Sequence, residues 1–413
     1  MARPPPRPAS APPRVASDEL VVNAYSTGWL KRGFPWVYPT EVLRGGPPTP
    51  GELVRLRGEG GTSLGRAVAD RGWIAARRFR RDDGPLDAAF FAERVRLAAA
   101  RRTEREPDTD AWRLVNAESD DLPGVRVDVW GADLVVTLDS PSLRGVGQLV
   151  ADAARAQLGA PGTTWLAERR DPRDTERTAA ATRTLHGDPA PRDVVVTELG
   201  LRYEVRPALG KDAGLFTDMR TNRAWMAPHW KGSRVLNLFA HTGAFSVSAR
   251  AHGAAEVVSV DLSEGYLARA RRNFDLNGLD AGELIAEDCF RTLDRFRRQG
   301  RRFDRIVVDP PGFSHSEAGT WQGEKDWARL AAACLRVLDP GGWLIAASNL
   351  GSQSPKAFGG ALQEGAERAG MELRLCHEGT PGVDHPAALH FPEARYSKFW
   401  VMEATPCLAA SPG

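Results

Sequence analysis

The stretch from Arg234 to Asp261, RVLNLFAHTGAFSVSARAHGAAEVVSVD, limits the possible folds of this chain more than any other. A short apolar run, Val235 to Phe239, leads into the turn HTGA, a helical pattern follows from Phe245 to Ala251, and a second apolar run, Val257 to Val260, ends in Asp261. A strand, a glycine turn, a helix and a strand in this order build a parallel sheet through right-handed crossovers. In open sheets of this kind ligands lie at the carboxyl ends of the strands. There Gly243 would let backbone approach a ligand, and Asp261 could take the two hydroxyls of a ribose. An ordinary core crossover, with Asp261 capping the next helix, would use the same residues.

The ligand is narrowed by what is missing. Gly243 stands alone in HTGAFS, without the further glycines that make room for a pyrophosphate. S-adenosylmethionine has a ribose and no phosphate, and its positive sulfonium and amino-acid end want carbonyls and carboxylates. A second local signal is RIVVDPPGF, Arg305 to Phe313, where an apolar strand ends in Asp309 and two prolines stiffen the backbone so that its carbonyls face one direction. Asp309 and the carbonyl of Pro310 could hold a target base, and Phe313 could stack on one that is flipped out. Asp288, after the strand at Leu284 to Ala286, is expected near an adenine amino group or as a helix cap. GKDAGLFTDMRTNRAWM gathers Lys211, Asp218, Arg220, Asn222 and Arg223, either a solvated loop or a lid over the methionine end of the cofactor.

At 413 residues the chain exceeds the ~250 to 300 at which single cores stop growing, so two or three domains are expected. Residues 1–17, with six prolines, read as a disordered tail. Residues 18–85 show short strand-like pieces between Gly and Pro, the pattern of a small β-barrel, and RGFPWVYPTEV alternates Phe34, Trp36 and Tyr38 with Lys31 and Arg32, as a nucleic-acid surface would or as a barrel core might equally allow in Trp36. Residues 86–205 read as an α+β unit of two strand pairs around a helix, with one strand from Asp193 to Val205. Residues 206–404 alternate strand and helix, the signature of a doubly wound α/β sheet, with a helix ending near Leu338, and 405–413 form a second tail. Up to Arg105 there are 19 Lys and Arg against 11 Asp and Glu, a basic front end that suits a phosphate backbone, although Arg so outnumbers Lys throughout that codon usage weakens the inference. No apolar run reaches the ~18 residues that span a bilayer and no secretory signal opens the chain, so a cytoplasmic location is expected. Cys289, Cys334, Cys376 and Cys407 have no pairing or metal spacing, and neither a disulfide nor a metal is expected.

GFPWVYPTEV, DLPGVRVDVWGADLVV, GLFTDMRTNR, NLFAHTGAFSVSA, VVSVDLS, FDRIVVDPPGFS and FPEARYSKFW, in this order, resemble the bacterial large-subunit ribosomal RNA methyltransferases of the RlmI type. The resemblance runs from about Ala24 to Val401. It implies a PUA barrel, a central α+β domain and a Rossmann-like class I methyltransferase domain using S-adenosylmethionine. By position it assigns cofactor contacts to Phe239, Thr242, Gly243, Asp261, Asp288 and Asp309, with Asp218 and Arg223 in the preceding loop. The implied partner is large-subunit ribosomal RNA, naked or partly assembled, with no membrane partner and with a homodimer left open.

One departure bears on mechanism. Cytosine-5 methylation needs a thiolate that adds to C6 of the base, and the cytosine-5 members carry it just after the strand that follows the Gly-Gly turn. Here that strand reads WLIAASNLGS, with Ser348 and Asn349 and no cysteine. This is closer to the related guanine-N7 branch, where the ring nitrogen attacks the methyl group directly and the protein contributes positioning. The expected catalytic set is Asp309 and Pro310 orienting the base, Phe313 stacking on it and Asn349 bonding its edge. The alternatives are a cytosine-5 enzyme, a small-molecule or protein methyltransferase, and an RNA-binding protein with a relic methyltransferase fold.

Overall fold

The computed structural model describes residues 18–46, 48–104, 106, 108–159, 162–168, 182–188, 190, 192–316 and 319–407, so the expected tail 1–17 and most of the expected tail 405–413 lie outside the described residues. Backbone contacts group the chain into two units. The first comprises Met1–Val196, Val205–Ala213 and Val383–Ala394, the second Thr197–Glu204, Gly214–Gly382 and Arg395–Gly413.

The first unit begins with β1 (Glu19–Val22), α1 (Ala24–Lys31), β2 (Trp36–Val37), β3 (Val42–Arg44), β4 (Leu53–Gly58), β5 (Ser63–Ala69) and β6 (Ala76–Arg80). The strands form one sheet in the order β2-β6-β5-β4-β1-β3. β4 shows why: Val54 and Leu56 alternate inward onto Leu20, Val22 and Leu64 while Leu53, Arg55 and Arg57 face out. Helix α1 was not expected. Gly28 lowers its helix propensity, and it is started instead by Asn23, whose side chain accepts from the Ser26 N–H at 2.8 Å. The aromatics of GFPWVYPTEV turn inward: Phe34 and Tyr38 are buried around Phe391, and Trp36 packs 4.8 Å from Phe391 and donates to Glu118 at 2.8 Å. On α1 and its C-terminal cap, Tyr25, Trp29 and Arg32 lie at helical spacing, with Tyr25 52% exposed and Arg32 4.6 Å above the Trp29 ring.

Next come α2 (Ala88–Ala100), β7 (Ala111–Asn116), β8 (Val125–Trp130), β9 (Asp133–Leu138), α3 (Arg144–Gln157), β10 (Thr164–Glu168) and β11 (Thr182–His186). Instead of two strand pairs they make one sheet, β11-β10-β9-β8-β7, because α3 is a crossover that brings β10 parallel to β9. Both helices pack on a core that includes Leu114, Val127, Leu134 and Leu166. This unit also buries charge. Arg102 forks onto Asp120 at 2.6 and 2.8 Å with both side chains inaccessible, and Arg77 meets Asp70 at 2.7 Å. Segment Val383–Ala394 belongs here: Asp384 accepts from the Arg113 N–H at 3.0 Å and the Pro386 carbonyl from Asn116 at 2.9 Å. The strand expected over Asp193 to Val205 is a hairpin, β12 (Val194–Glu198) and β13 (Leu201–Val205), because Leu199 and Gly200 turn back with φ of 53° and 76°.

The second unit carries α4 (Arg220–Met226), β14 (Arg234–Leu238), α5 (Ala244–Ala251), β15 (Glu256–Asp261), α6 (Glu264–Leu276), β16 (Glu283–Ala286), α7 (Cys289–Gln299), β17 (Phe303–Val308), β18 (Phe313–Ser316), β19 (Gly319–Gln322), α8 (Trp327–Leu335), β20 (Leu338–Ser348), α9 (Pro355–Ala369), β21 (Met371–Gly379) and β22 (Lys398–Pro406). Its main sheet has the order β16-β15-β14-β17-β20-β22-β21, with β22 antiparallel to both neighbours and the five strands from β16 to β20 parallel. The strand order reverses between β14 and β17, the switch point at which such sheets bind ligands. Helix α8 stops at Leu335, short of the expected Leu338, which already opens β20 ahead of the Pro340-Gly341-Gly342 bend, where φ of Gly341 is 78°. The last strand runs through Pro406, past the expected boundary at 404.

Candidate active site at the carboxyl edge of the parallel strands

The turn after β14 is built around Asp261 at the end of β15. One carboxylate oxygen accepts the His241 N–H at 2.8 Å and the other the Ser263 N–H at 2.9 Å. To reach α5 from β14 the chain places Phe239 and His241 in the left-handed region, with φ of 56° and 51°, a costly conformation for non-glycine residues that clusters at functional sites. Thr242 is buried, with its hydroxyl donating to the Gly214 carbonyl and its own carbonyl accepting from Asn273 at 2.8 Å. The backbone itself requires glycine at 243. Its φ is 77°, and a Cβ there would lie 3.0 Å from that of Ala270 on α6.

Asp288 follows β16 and caps α7, one oxygen accepting from the Phe290 and Arg291 N–H groups at 2.9 and 3.2 Å. Asp309 follows β17, half-buried, and makes no hydrogen bond among the described residues. Burial, and then the charge of Asp218, push its carboxyl up to about 7, against a smaller opposing effect of Arg223. Asp218 accepts from the Tyr396 hydroxyl at 2.7 Å. Arg223, expected to touch cofactor, is buried instead, forked onto Glu198 at 2.7 and 3.0 Å and donating to the Phe216 carbonyl at 2.8 Å. The reason is charge: a buried guanidinium needs a carboxylate, and Glu198 on β12 supplies it. What Arg223 fixes is Phe216, which stands 5.2 Å from His241, itself 4.2 Å from Tyr266. This aromatic row and Tyr396 were missed from the sequence. His241 and Tyr396 lie inside quoted motifs, but nothing in the spacing marked their rings.

The double-proline corner is held from two sides. Trp321 on β19 donates to the Pro311 carbonyl at 2.6 Å, and the Gly323 N–H to the Gly312 carbonyl at 3.0 Å. Of the expected rigid carbonyls, that of Pro311 is therefore committed. Pro310 is buried and Phe313 is 55% exposed. Across the corner, β20 ends in buried Ser348, whose hydroxyl donates to Gln353 at 3.1 Å, and exposed Asn349. Leu350 packs on the corner so closely that a Cβ at Gly312 or Gly323 would come within 2.8 or 2.6 Å of it. Beneath this turn Lys398, almost fully buried, donates to the carbonyls of Leu350, Gln353 and Tyr396 at 2.7, 3.0 and 2.9 Å. Of the cysteines, Cys289 and Cys334 are buried, which pushes both thiols far up, while Cys376 lies exposed on edge strand β21 and Cys407 beyond β22.

Asp261, Asp288 and Asp309 thus share one edge of the parallel strands, with Asp218 close enough to act on Asp309, and the nearby Arg223 is already neutralised by Glu198. An acidic rim of this kind fits a cationic sulfonium and an α-ammonium group.

Comparison with known proteins agrees. Residues 144–385 match the family model described as S-adenosylmethionine-dependent methyltransferase, and residues 20–81 a PUA-like domain. Ribosomal RNA large subunit methyltransferase I of Shewanella denitrificans is 33% identical over 382 residues, covering 89% of this chain and 95% of the relative. That of Aeromonas salmonicida is 33% identical over 387 residues, covering 91% and 96%. The crystal structure of the methyltransferase SMU.776 complexed with SAH superposes with a TM-score of 0.84 at 23% identity over 93% of this chain and 99% of that one, a likeness of fold. By sequence match, and on a shared fold, the chain belongs to the S-adenosylmethionine-dependent methyltransferase family that includes the ribosomal RNA large subunit methyltransferase I proteins.

Proposed function

We propose that this methyltransferase modifies a base of large-subunit ribosomal RNA by direct transfer to a ring nitrogen, guanine or another, without a cysteine adduct. S-adenosylmethionine supplies a methyl group activated on a positive sulfur. The residues of this chain hold and orient. Asp261 is the ribose ligand, with Phe239, Thr242 and Gly243 forming the turn beneath it, Asp288 lies by the adenine, and Asp218 and Asp309 oppose the positive end. Arg223 acts at one remove by fixing Phe216. For the base, Phe313 supplies an exposed ring, Asp309 and the Pro310 backbone supply acceptors, and Asn349 can donate to or accept from its edge.

The observation that carries the absence of a covalent step is the end of β20. Its exposed side chain there is Asn349, and no cysteine belongs to that turn or to the double-proline corner. A nitrogen lone pair attacks the methyl carbon directly, whereas cytosine C5 would first need a thiolate. The relatives named ribosomal RNA large subunit methyltransferase I support the RNA class, and the PUA-like domain and the Tyr25, Trp29, Arg32 face of α1 support an RNA partner. We place the reaction in the cytoplasm on naked or partly assembled RNA. Light scattering of the full chain distinguishes monomer from homodimer.

The test is transfer of label from S-adenosylmethionine to ribosomal RNA of a strain lacking this gene, with the modified nucleotide mapped. Labelled RNA is expected, and no transfer to any RNA overturns the proposal. Replacing all four cysteines together should leave turnover within about twofold, since no step is routed through a thiol. Trapping of the enzyme by 5-fluorocytosine RNA would return the reaction to cytosine C5.

A further inference from the structure

Along the second unit, α7 and α8 enclose a groove of about 610 Å³ that the site described above does not use. It is lined by Glu287, Phe290, Arg291, Asp294, Arg295, Arg298, Gln299 and Arg329. Four of these eight are arginines and two are acids. Arg291, Arg295 and Arg298 recur at helical spacing on one face of α7, and Arg329 enters from α8.

Two of the groove's four arginines are committed to acids. Arg295 bonds Glu287 at 2.8 Å and Arg298 pairs with Asp294, which also takes Arg297 at 2.9 Å. Arg291 and Arg329 are exposed, and Arg329 makes no ion pair among the described residues. It lies 4.0 Å over the ring of Phe290. α7 begins just after the carboxyl end of β16, which puts the Phe290 and Arg291 end of the groove at the carboxyl edge of the parallel strands. The groove also adjoins the target-base corner. Phe290 is 6.5 Å from Trp321, Trp321 is 6.0 Å from Phe239, and the Trp321 indole holds the Pro311 carbonyl.

We propose that this groove is a track for the phosphodiester backbone of the RNA that flanks the target base, with Arg291 and Arg329 neutralising phosphates and the Phe290 and Arg329 pair forming a platform for a neighbouring base. The proposal rests on the RNA reading above and deepens it. A strand whose target base is turned into the corner beside Phe313 must carry its neighbours past a surface within a few nucleotides. This groove is a basic surface at that edge with a ring set into it. Guanidinium groups suit phosphate through their planar fork, and single-stranded RNA is gripped by such cations interleaved with rings.

The full-length protein with Arg291→Gln and Arg329→Gln together is compared with wild type for binding to large-subunit ribosomal RNA from the deletion strain, across a range of salt concentrations. Each lost phosphate contact lowers the slope of log K against log salt by about 0.7 for single strands, so the double variant should lose roughly 1.4. Its affinity for S-adenosylmethionine should be unchanged, which also shows that the second unit is folded. Arg291→Lys with Arg329→Lys keeps both charges and should restore most of the slope. An unchanged slope in the Gln variant, or a wild-type protein that does not bind this RNA, overturns the track. Binding with the expected slopes but no methylation of any RNA overturns the catalytic reading and leaves the track standing.

Discussion

Asp309 stands half-buried with Asp218 as the strongest charge acting on it, and its carboxyl is raised to about 7 chiefly by burial. A cation bound beside it favours the ionised form. Below pH 7 binding of S-adenosylmethionine should therefore release close to one proton, and donor affinity should rise as pH climbs through 7. The product, with a neutral sulfur, should show a weaker dependence. Calorimetric titration in buffers of different ionisation enthalpy reads both. The same shift sets a stability trend. A carboxyl near 3.8 when unfolded and about 7 when folded contributes stability that is complete below pH 4 and lost as pH rises through 7. Asp309→Asn should remove that dependence, so the ligand-free variant should be more stable than wild type at pH 8, by about 2 to 4 kcal/mol, and no more stable at pH 4. Equal urea midpoints at pH 8 would refute this. The variant should also bind the donor more weakly.

At the scale of elements, the turn after β20 depends on one cation from β22. Lys398 joins three carbonyls, and the turn it supports places Asn349 and presses Leu350 on the double-proline corner. Lys398→Met should lower turnover at least tenfold with a smaller loss of donor affinity, because Lys398 reaches the donor residues only through Tyr396, which bonds Asp218. Equilibrium dialysis with the donor, beside single-turnover transfer, separates the two. In the first unit the fully buried Arg102 and Asp120 pair is a second fixed point, and Asp120→Ala, leaving an unpaired buried guanidinium, should cost about 3 to 5 kcal/mol in denaturant unfolding.

The sequence made some of these elements readable and concealed others. The crossover from β14 to β15, the double-proline corner and α9 could be read because each is marked locally, by an apolar run closing in an acid or by Ser354 and Pro355 opening a helix. The β12 and β13 hairpin was hidden because Leu199, not Asn or Asp, takes the left-handed place in its turn. The inward aromatics of GFPWVYPTEV and the pairing of Arg223 with Glu198 were hidden because their partners, Phe391 and Glu198, are distant in sequence. Local spacing places an acid at a strand end, but it carries no information on which long-range partner a cation finds.

Across the whole molecule, two compact units with separate cores predict two unfolding transitions. One is all that donor binding should move, since every residue assigned to the donor belongs to the second unit. At a donor concentration 100 times Kd the second unit should gain about 2.7 kcal/mol, and scanning calorimetry with and without donor checks whether the other transition stays in place. The chain passes between the two units at five points, so no single cut yields two separable halves. The detour of Val383–Ala394 adds a further consequence. β22 lies between β20 and β21, yet it is synthesised after both and only after the chain has visited the other unit. While the polypeptide is still emerging from the ribosome, the main sheet must wait with a slot open at its interior. Lys398, which steadies the turn bearing Asn349, arrives with the strand that fills that slot, so this side of the double-proline corner is among the last parts of the protein to be completed.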